Sequence, residues 1–228
     1  MGAEKKSNNK SGKSTRIVIV DDHSMFREGL IEVLRREPDF EICGEAEDRR
    51  QALEVIKTVK PDLAIVDLVL KNSHGIELIK DIRAYHPEVI VLVVSMHQES
   101  LFAERALRAG ARGYITKQEA TKHLIGAIRK VMDGEIVASE SLTQIALGQL
   151  AGGEGLSKGK SVSKLSDREI EVLDLMGKGL NNHQIAEQLR IDVTTVETYR
   201  ARIKDKLLLK DATELLQYAI RWAHRDTV

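Results

Sequence analysis

The sequence predicts an α/β fold, a doubly wound parallel sheet of five strands, followed by a smaller all-α domain. Short β-branched runs alternate with amphipathic helical segments from residue 16 to about residue 134, which is typical of a parallel sheet covered by helices. A stretch rich in Gly, Ser and Lys then interrupts the pattern. Beyond it the apolar residues recur only at helical spacing.

The α/β part contains five strand candidates and five helix candidates. The predicted strands are Ile17–Val20, Phe40–Ala46, Leu63–Val66, Ile90–Val94 and Gly113–Thr116. The predicted helices are Met25–Arg36, Arg49–Lys60, Gly75–Tyr85, Gln98–Ala109 and Lys122–Asp133.

The chain divides into four parts by composition. Residues 1–15 are rich in Lys, Ser, Asn and Gly and predict a disordered lead-in. Residues 16–138 form the α/β domain, and residues 139–163 read as a flexible linker that begins with a possible short helix, Ser141–Leu150. Residues 164–228 form the helical domain.

The helical domain has the proportions of a helix-turn-helix. A capping-box pattern, Ser166 followed by Glu169, predicts the start of its first helix. Asn181 is positioned to cap the next helix, and Asp192 to cap the helix that follows a tight turn. A last helix is expected from about Ala212 to Ala223.

Composition excludes several classes of protein. The 228 residues carry a formal net charge of +0, so a nucleic-acid site requires a local basic patch. Cys43 is the single cysteine, which excludes an internal disulfide and fits a reducing compartment. No apolar run approaches the roughly 20 residues of a membrane span. We therefore expect a cytoplasmic protein with no membrane partner.

Polar side chains follow four of the predicted strands at the point where each strand ends. They are Asp21 and Asp22, Asp67, Ser95, and Lys117. The carboxyl ends of parallel strands meet at one edge of the sheet, where ligands bind. Three carboxylates, a hydroxyl and an ammonium group suit a divalent metal and a phosphoryl group. We expect Mg²⁺ bound by Asp21, Asp22 and Asp67, with the backbone carbonyl of Val69 as a further ligand.

This ordered set resembles the receiver domain of two-component response regulators, which has a flavodoxin-like fold. The resemblance covers Arg16 to about Gly134. It implies that Asp67 accepts phosphate from a sensor histidine kinase. It also implies that Asp22 binds Mg²⁺ directly and that Asp21 does so through water.

The same resemblance assigns two further residues and a weak activity. Ser95 and Tyr114 would form the switch pair, and the receiver would catalyse its own phosphorylation and dephosphorylation without being an enzyme in the usual sense. One departure is visible: many receivers carry Pro shortly after the phosphorylated Asp, but this chain has no Pro between Leu68 and Gly75. A less rigid loop would alter the lifetime of the phosphate.

The second helix of the helix-turn-helix is expected to enter the major groove of DNA. Val196, Ile203 and Leu207 share one face and should pack inward. The residues expected at the DNA surface are Thr194, Thr195, Glu197, Thr198, Arg200, Ala201, Arg202 and Lys204. The basic patch is modest, so one copy should bind weakly and in a salt-sensitive way.

The helical domain is similar to the LuxR-type DNA-binding domain. The similarity covers about Lys164 to Ala223 and includes Glu169, Asn182 and Thr195. With the receiver, the chain resembles the NarL/FixJ subfamily of response regulators. This implies double-stranded DNA as a partner and a homodimer as the active form. Whether phosphorylation frees the helical domain or promotes dimerisation stays open.

Two positions depart from the LuxR pattern. Glu197 stands where relatives often have Lys, and Ala201 is small where some relatives carry a basic contact. A glutamate can accept a hydrogen bond from the cytosine amino group, so a changed base preference is one hypothesis. The equally weighted alternative is that Glu197 pairs with Arg200 on the solvated helix face.

Two other functions fit part of the chain, and a third differs only in its control. Phosphohydrolases of the haloacid-dehalogenase type need a second Asp two residues after the nucleophile, and here that residue is Val69. A DNA-binding regulator with a vestigial acidic pocket, independent of phosphorylation, remains the alternative. A helical protein-interaction module accounts for the second half of the chain only.

Overall fold

The computed structural model describes residues 14–71, 73–96, 99–138 and 162–223. The strands in these ranges are β1 (Thr15–Val20), β2 (Phe40–Ala46), β3 (Leu63–Val66), β4 (Val69–Leu70), β5 (Ser73–His74), β6 (Ile90–Ser95) and β7 (Gly113–Thr116). The helices of the first domain are α1 (Ser24–Leu34), α2 (Arg49–Val59), α3 (Gly75–Tyr85), α4 (Glu99–Ala109) and α5 (Lys117–Met132).

The main sheet is parallel and has the strand order β2-β1-β3-β6-β7. This confirms the doubly wound five-stranded sheet and each of its predicted strands. The alternation of side chains along each strand divides the core between two faces. Val18 and Val20 pack against the side covered by α2, α3 and α4. Ile17 and Ile19 pack against the side covered by α1 and α5.

A small antiparallel hairpin follows β3 and was not predicted. Strands β4 and β5 pair Val69 with His74 and Leu70 with Ser73. The hairpin lies between Leu68 and Gly75, the segment that contains no Pro. Residues 69–70 and 73–74 therefore have regular backbone pairing without a Pro.

The prediction for the last helix of the first domain was wrong at its start. Helix α5 begins at Lys117, five residues before the predicted Lys122. The cause is a capping box, in which the Thr116 hydroxyl accepts from the Glu119 amide while the Glu119 carboxylate accepts from the Thr116 amide. Lys117 therefore lies in the first turn of a helix directly after β7.

The helical domain contains α6 (Asp167–Gly177), α7 (Asn182–Leu189), α8 (Val193–Lys206) and α9 (Ala212–Ala223), after a short 3₁₀ turn, Val162–Lys164. The predicted capping box of Ser166 and Glu169 is confirmed. Helices α6 and α9 cross closely at Gly177, where an added Cβ would lie 2.6 Å from the Cβ of Ala223. Glycine is required at this crossing because a side chain would collide with α9.

Of the two predicted caps at the starts of α7 and α8, only one is made by a side chain. Asn181 caps α7 through the Gln184 amide, as expected. Asp192 holds the cap position of α8, but its side chain makes no capping hydrogen bond, so that expectation was wrong. The predicted helix Ser141–Leu150 and residues 139–161 of the expected linker lie outside the described residues. Among the described helices, none has the length and apolar content needed to cross a membrane.

Candidate functional site

The predicted site residues meet at the carboxyl edge of the parallel sheet. Each of these residues follows or ends a strand. The strands β1, β3, β6 and β7 are parallel, so the residues lie at the same edge of the sheet. All five polar side chains are buried: Asp21, Asp22, Asp67, Ser95 and Lys117. Buried charges are stable only when they are paired or bind ions, so the cluster is organised around charge compensation.

Lys117 links two of the three carboxylates. Its Nζ lies 2.7 Å from an oxygen of Asp21 and 2.7 Å from an oxygen of Asp67. The ammonium group also lies 4.4 Å from the centre of the Phe26 ring, within the range of a cation–π contact. Lys117 therefore compensates charge that two separate strands bring to this edge.

The backbone around Asp67 is closely packed. The Val69 amide donates to Asp67 Oδ1 at 3.4 Å, and the Gly75 amide donates to the Leu68 carbonyl at 2.8 Å. A Cβ added at Gly75 would lie 2.7 Å from the Leu68 Cα and would collide with the Asp67 carbonyl oxygen. Gly75 thus permits α3 to start directly against the loop that carries Asp67.

Burial changes the acidity of the charged groups. It raises the pKa of Asp67 to about 6, a shift that attraction to Lys117 reduces and repulsion from Asp21 reinforces. It also raises the pKa of Asp22, although attraction to Arg190 and His23 acts in the opposite sense. Burial lowers the pKa of Lys117, but attraction to Asp67 and Asp21 outweighs it, and the net shift is upward.

The acidic cluster fits a hard divalent cation. Ligand atoms of Asp21, Asp22, His23 and Asp67 all lie within 4.8 Å of one another. Carboxylate oxygens are the protein ligands that Mg²⁺ prefers, and the ion usually keeps several waters as further ligands. The His23 side chain is 44% exposed, and its Nδ1 lies 2.9 Å from Asp22 Oδ1.

The predicted switch residues lie on neighbouring strands. Ser95 ends β6 and is fully buried, and Tyr114 on β7 is 1% exposed. The two strands pair in register, with Val93 opposite Tyr114 and Ser95 opposite Thr116. Tyr114 therefore lies inside the protein.

Helix α8 presents the predicted DNA-contact face. Val196, Ile203 and Leu207 are buried, as expected. The exposed residues of the predicted set are Thr194, Glu197, Thr198, Ala201 and Arg202, while Thr195, Arg200 and Lys204 are half-buried. The Arg200 guanidinium donates to Asn182 Oδ1 at 2.6 Å, a bond to α7 rather than to Glu197.

Arg190 lies at the site although its sequence context did not predict it there. Arg190, in the turn between α7 and α8, lies 2.9 Å from Asp22 Oδ2. The two residues are 168 positions apart, so no local pattern connects them. The backbone of Arg190 is left-handed at φ 52° and ψ 48°, a conformation in which Gly or Asn is usual, and this is visible only in the structure.

The two halves of the chain match two family models. Residues 17–129 match the response regulator receiver domain. Residues 163–219 match the bacterial regulatory proteins of the luxR family.

Several proteins are similar over nearly the whole chain. The oxygen regulatory protein NreC of Staphylococcus haemolyticus is 33% identical over 90% of this chain and 97% of its own length. The nitrate/nitrite response regulator NarL of Escherichia coli is 31% identical over 93% of this chain and 96% of its own length.

A solved structure is similar over most of the chain. RcsB from Salmonella enterica serovar Typhimurium, bound to promoter rprA in the presence of the phosphomimetic BeF₃⁻, matches with a TM-score of 0.58. It is 25% identical and covers 91% of this chain and 99% of that chain. The protein belongs to the family of two-component response regulators that join a receiver domain to a LuxR-type DNA-binding domain.

Proposed function

We propose that this transcriptional regulator is controlled by phosphoryl transfer from a sensor histidine kinase to Asp67. The observation that carries the proposal is the position of Lys117, whose ammonium group bridges Asp67 and Asp21 in a buried acidic cluster. Such a cluster costs free energy unless cations compensate it, so its presence fits a role in binding a metal and a phosphoryl group.

The chemical step needs a nucleophile and neutralisation of charge. A carboxylate oxygen of Asp67 attacks the phosphorus of a phosphohistidine on the kinase, an O–P bond forms, and the N–P bond to the histidine breaks. The ammonium group of Lys117 and the hydroxyl of Ser95 would stabilise the phosphoryl oxygens.

Mg²⁺ fits the donor set and would neutralise charge on the transferring phosphoryl group. Asp21, Asp22, Asp67 and the carbonyl of Val69 would hold it. The same pocket would let water attack the aspartyl phosphate, so the receiver would catalyse its own dephosphorylation. The Pro-free hairpin beside Asp67 would influence that rate, because it lies directly after the acceptor.

Phosphorylation would act as a population shift between two receiver conformations. Ser95 would move toward the phosphoryl group, and Tyr114 would rearrange on the neighbouring strand. The pairing of β6 with β7 supports this coupling, because Ser95 and Tyr114 lie on neighbouring strands of the same sheet. The altered receiver would release the helical domain, promote dimerisation, or do both.

The DNA-binding unit would be a homodimer that reads two half-sites. Helix α8 supplies the contacts through its exposed and half-buried residues: Thr194, Thr195, Glu197, Thr198, Arg200, Ala201, Arg202 and Lys204. The units of the chain in this proposal are a lead-in at 1–15, a receiver at 16–138, a linker at 139–163 and the DNA-binding domain at 164–228.

Fluorescence anisotropy with a duplex obtained by binding-site selection tests this function. Wild-type protein is titrated with and without acetyl phosphate and Mg²⁺, alongside Asp67→Asn and the exposed control Asp133→Asn. We expect acetyl phosphate to tighten binding by about tenfold in wild type and Asp133→Asn and not in Asp67→Asn. Equal affinities with and without phosphate would favour the phosphorylation-independent regulator with a vestigial pocket.

A further inference from the structure

The receiver and the helical domain contact each other beside the acidic cluster. Arg168 on α6 donates to the carbonyls of Leu70 and Ser73 in the β4–β5 hairpin. His74 of the hairpin, with its side chain 3% exposed, lies 3.2 Å from the buried Glu171 of α6. These contacts place the helical domain against the loop that follows Asp67.

Arg190 extends this contact into the acidic cluster itself. Its Nη1 donates to the Asp22 backbone carbonyl at 2.8 Å and lies 2.9 Å from Asp22 Oδ2. The other carboxylate oxygen of Asp22 lies 2.9 Å from His23 Nδ1. Both carboxylate oxygens of a residue expected to bind metal therefore lie 2.9 Å from a side-chain nitrogen.

The contact with Arg190 changes the formal charge of the acidic cluster. Asp21, Asp22 and Asp67 contribute three negative charges and Lys117 one positive charge, which leaves two negative charges. A divalent cation would balance that charge. With Arg190 against Asp22 only one negative charge remains, and a cation at Asp22 would lie close to the guanidinium group.

The backbone at Arg190 is a second observation. Gly adopts the left-handed backbone conformation at the end of a helix readily, and Asn tolerates it. Other residues with a Cβ are disfavoured there. Arg190 adopts this conformation at φ 52°, and so do Lys60 at φ 47° and Leu208 at φ 56°. What distinguishes Arg190 is that its side chain contacts Asp22.

We propose that Arg190 is an intramolecular competitor for the divalent-cation site, so that its contact with Asp22 and metal binding exclude each other. This rests on the proposed metal site at Asp22 and adds a link to the DNA-binding domain. Arg190 is three residues before the start of α8, so a bound cation would release the turn that precedes the recognition helix. By linkage, ion binding weakens this docking contact by the same factor by which the contact weakens the affinity for the ion.

Isothermal titration calorimetry with Mn²⁺, a divalent ion that also accepts oxygen ligands, tests the competition on the full-length protein. The variants are Arg190→Asn and Arg190→Gly, since both residues suit a left-handed backbone. Arg221→Asn, which removes an exposed arginine of α9, is the matched control. Asp22→Asn reports on the metal site itself.

We expect both Arg190 variants to bind Mn²⁺ about three- to tenfold more tightly than wild type, and Arg221→Asn to match wild type. Unchanged or weaker binding in both Arg190 variants would overturn the competition, while loss of binding in Asp22→Asn would still support the metal site. If wild type and every variant fail to bind Mn²⁺, both this inference and the proposed metal site are wrong.

Discussion

Lys117 Nζ and Asp67 Oδ2 lie 2.7 Å apart in a pocket that buries both side chains. The capping box at Thr116 sets this contact, because it starts α5 at Lys117 immediately after β7. The residue proposed to accept phosphate is therefore held against a cation by the junction of a strand and a helix.

Replacing Lys117 should destabilise the metal-free receiver strongly. Lys117→Met leaves Asp21 and Asp67 buried without their shared cation, so we expect a loss of about 3 kcal/mol in the free energy of unfolding. Urea unfolding in EDTA measures it, with Lys130→Met on the exposed face of α5 as control. Equal stability of the two variants would contradict charge compensation by Lys117.

Gly75 should tolerate no side chain. Gly75→Ala places a Cβ against the Asp67 carbonyl and the Leu68 Cα, so we expect a loss of more than about 2 kcal/mol and slower phosphorylation. Gly126→Ala, in α5, has open space around the added Cβ and should be neutral or stabilising by up to about 1 kcal/mol. Similar unfolding midpoints for the two variants would show that the loop yields easily.

The raised pKa of Asp67 predicts the sign of a pH effect on stability. Between the ordinary value of 3.8 and about 6, the folded protein holds a proton that the unfolded chain has released. Stability from this group is therefore present at low pH and falls as pH rises through that window, by about 3 kcal/mol in total. Asp67→Asn lacks this dependence.

Urea unfolding of wild type and Asp67→Asn from pH 4 to pH 7 in EDTA measures this difference. We expect wild type to lose stability relative to the variant as pH rises. Parallel curves would mean that the pKa of Asp67 is not raised by burial in the folded protein.

Glu197 should contribute to base preference. It is exposed on α8, and Arg200 bonds Asn182, so the contact surface at Glu197 is available to DNA. Glu197→Lys should shift the selected sequence at one position toward guanine, because Lys donates to guanine whereas Glu accepts from cytosine. A binding-site selection with wild type and variant compares the motifs, and an unchanged motif would remove Glu197 from base recognition.

The sheet and its polar edge could be predicted because both depend on local sequence. Apolar runs mark β1, β3, β6 and β7. A polar residue ends each of these strands or follows its carboxyl end. Parallel topology then brings Asp21, Asp67 and Lys117 together. The start of α5 was missed because the Thr116–Glu119 capping box was not recognised, although its residues are visible in the sequence.

The contacts between the domains could not be predicted in the same way. The pairs Arg190–Asp22 and His74–Glu171 join residues from separate domains, and neither partner has a motif that names the other. The β4–β5 hairpin was also missed, because two-residue strands are too short to show an alternating pattern. These features depend on tertiary packing, which single-sequence periodicity does not report.

The most direct test of the central claim is the intact mass of the protein after incubation with acetyl phosphate and Mg²⁺. Wild type, Asp67→Asn and Asp133→Asn are compared under conditions that label a known receiver. The account predicts one added phosphoryl group on wild type and Asp133→Asn, and none on Asp67→Asn. Absence of the adduct from wild type, or its presence on Asp67→Asn, would contradict Asp67 as the phosphoryl acceptor.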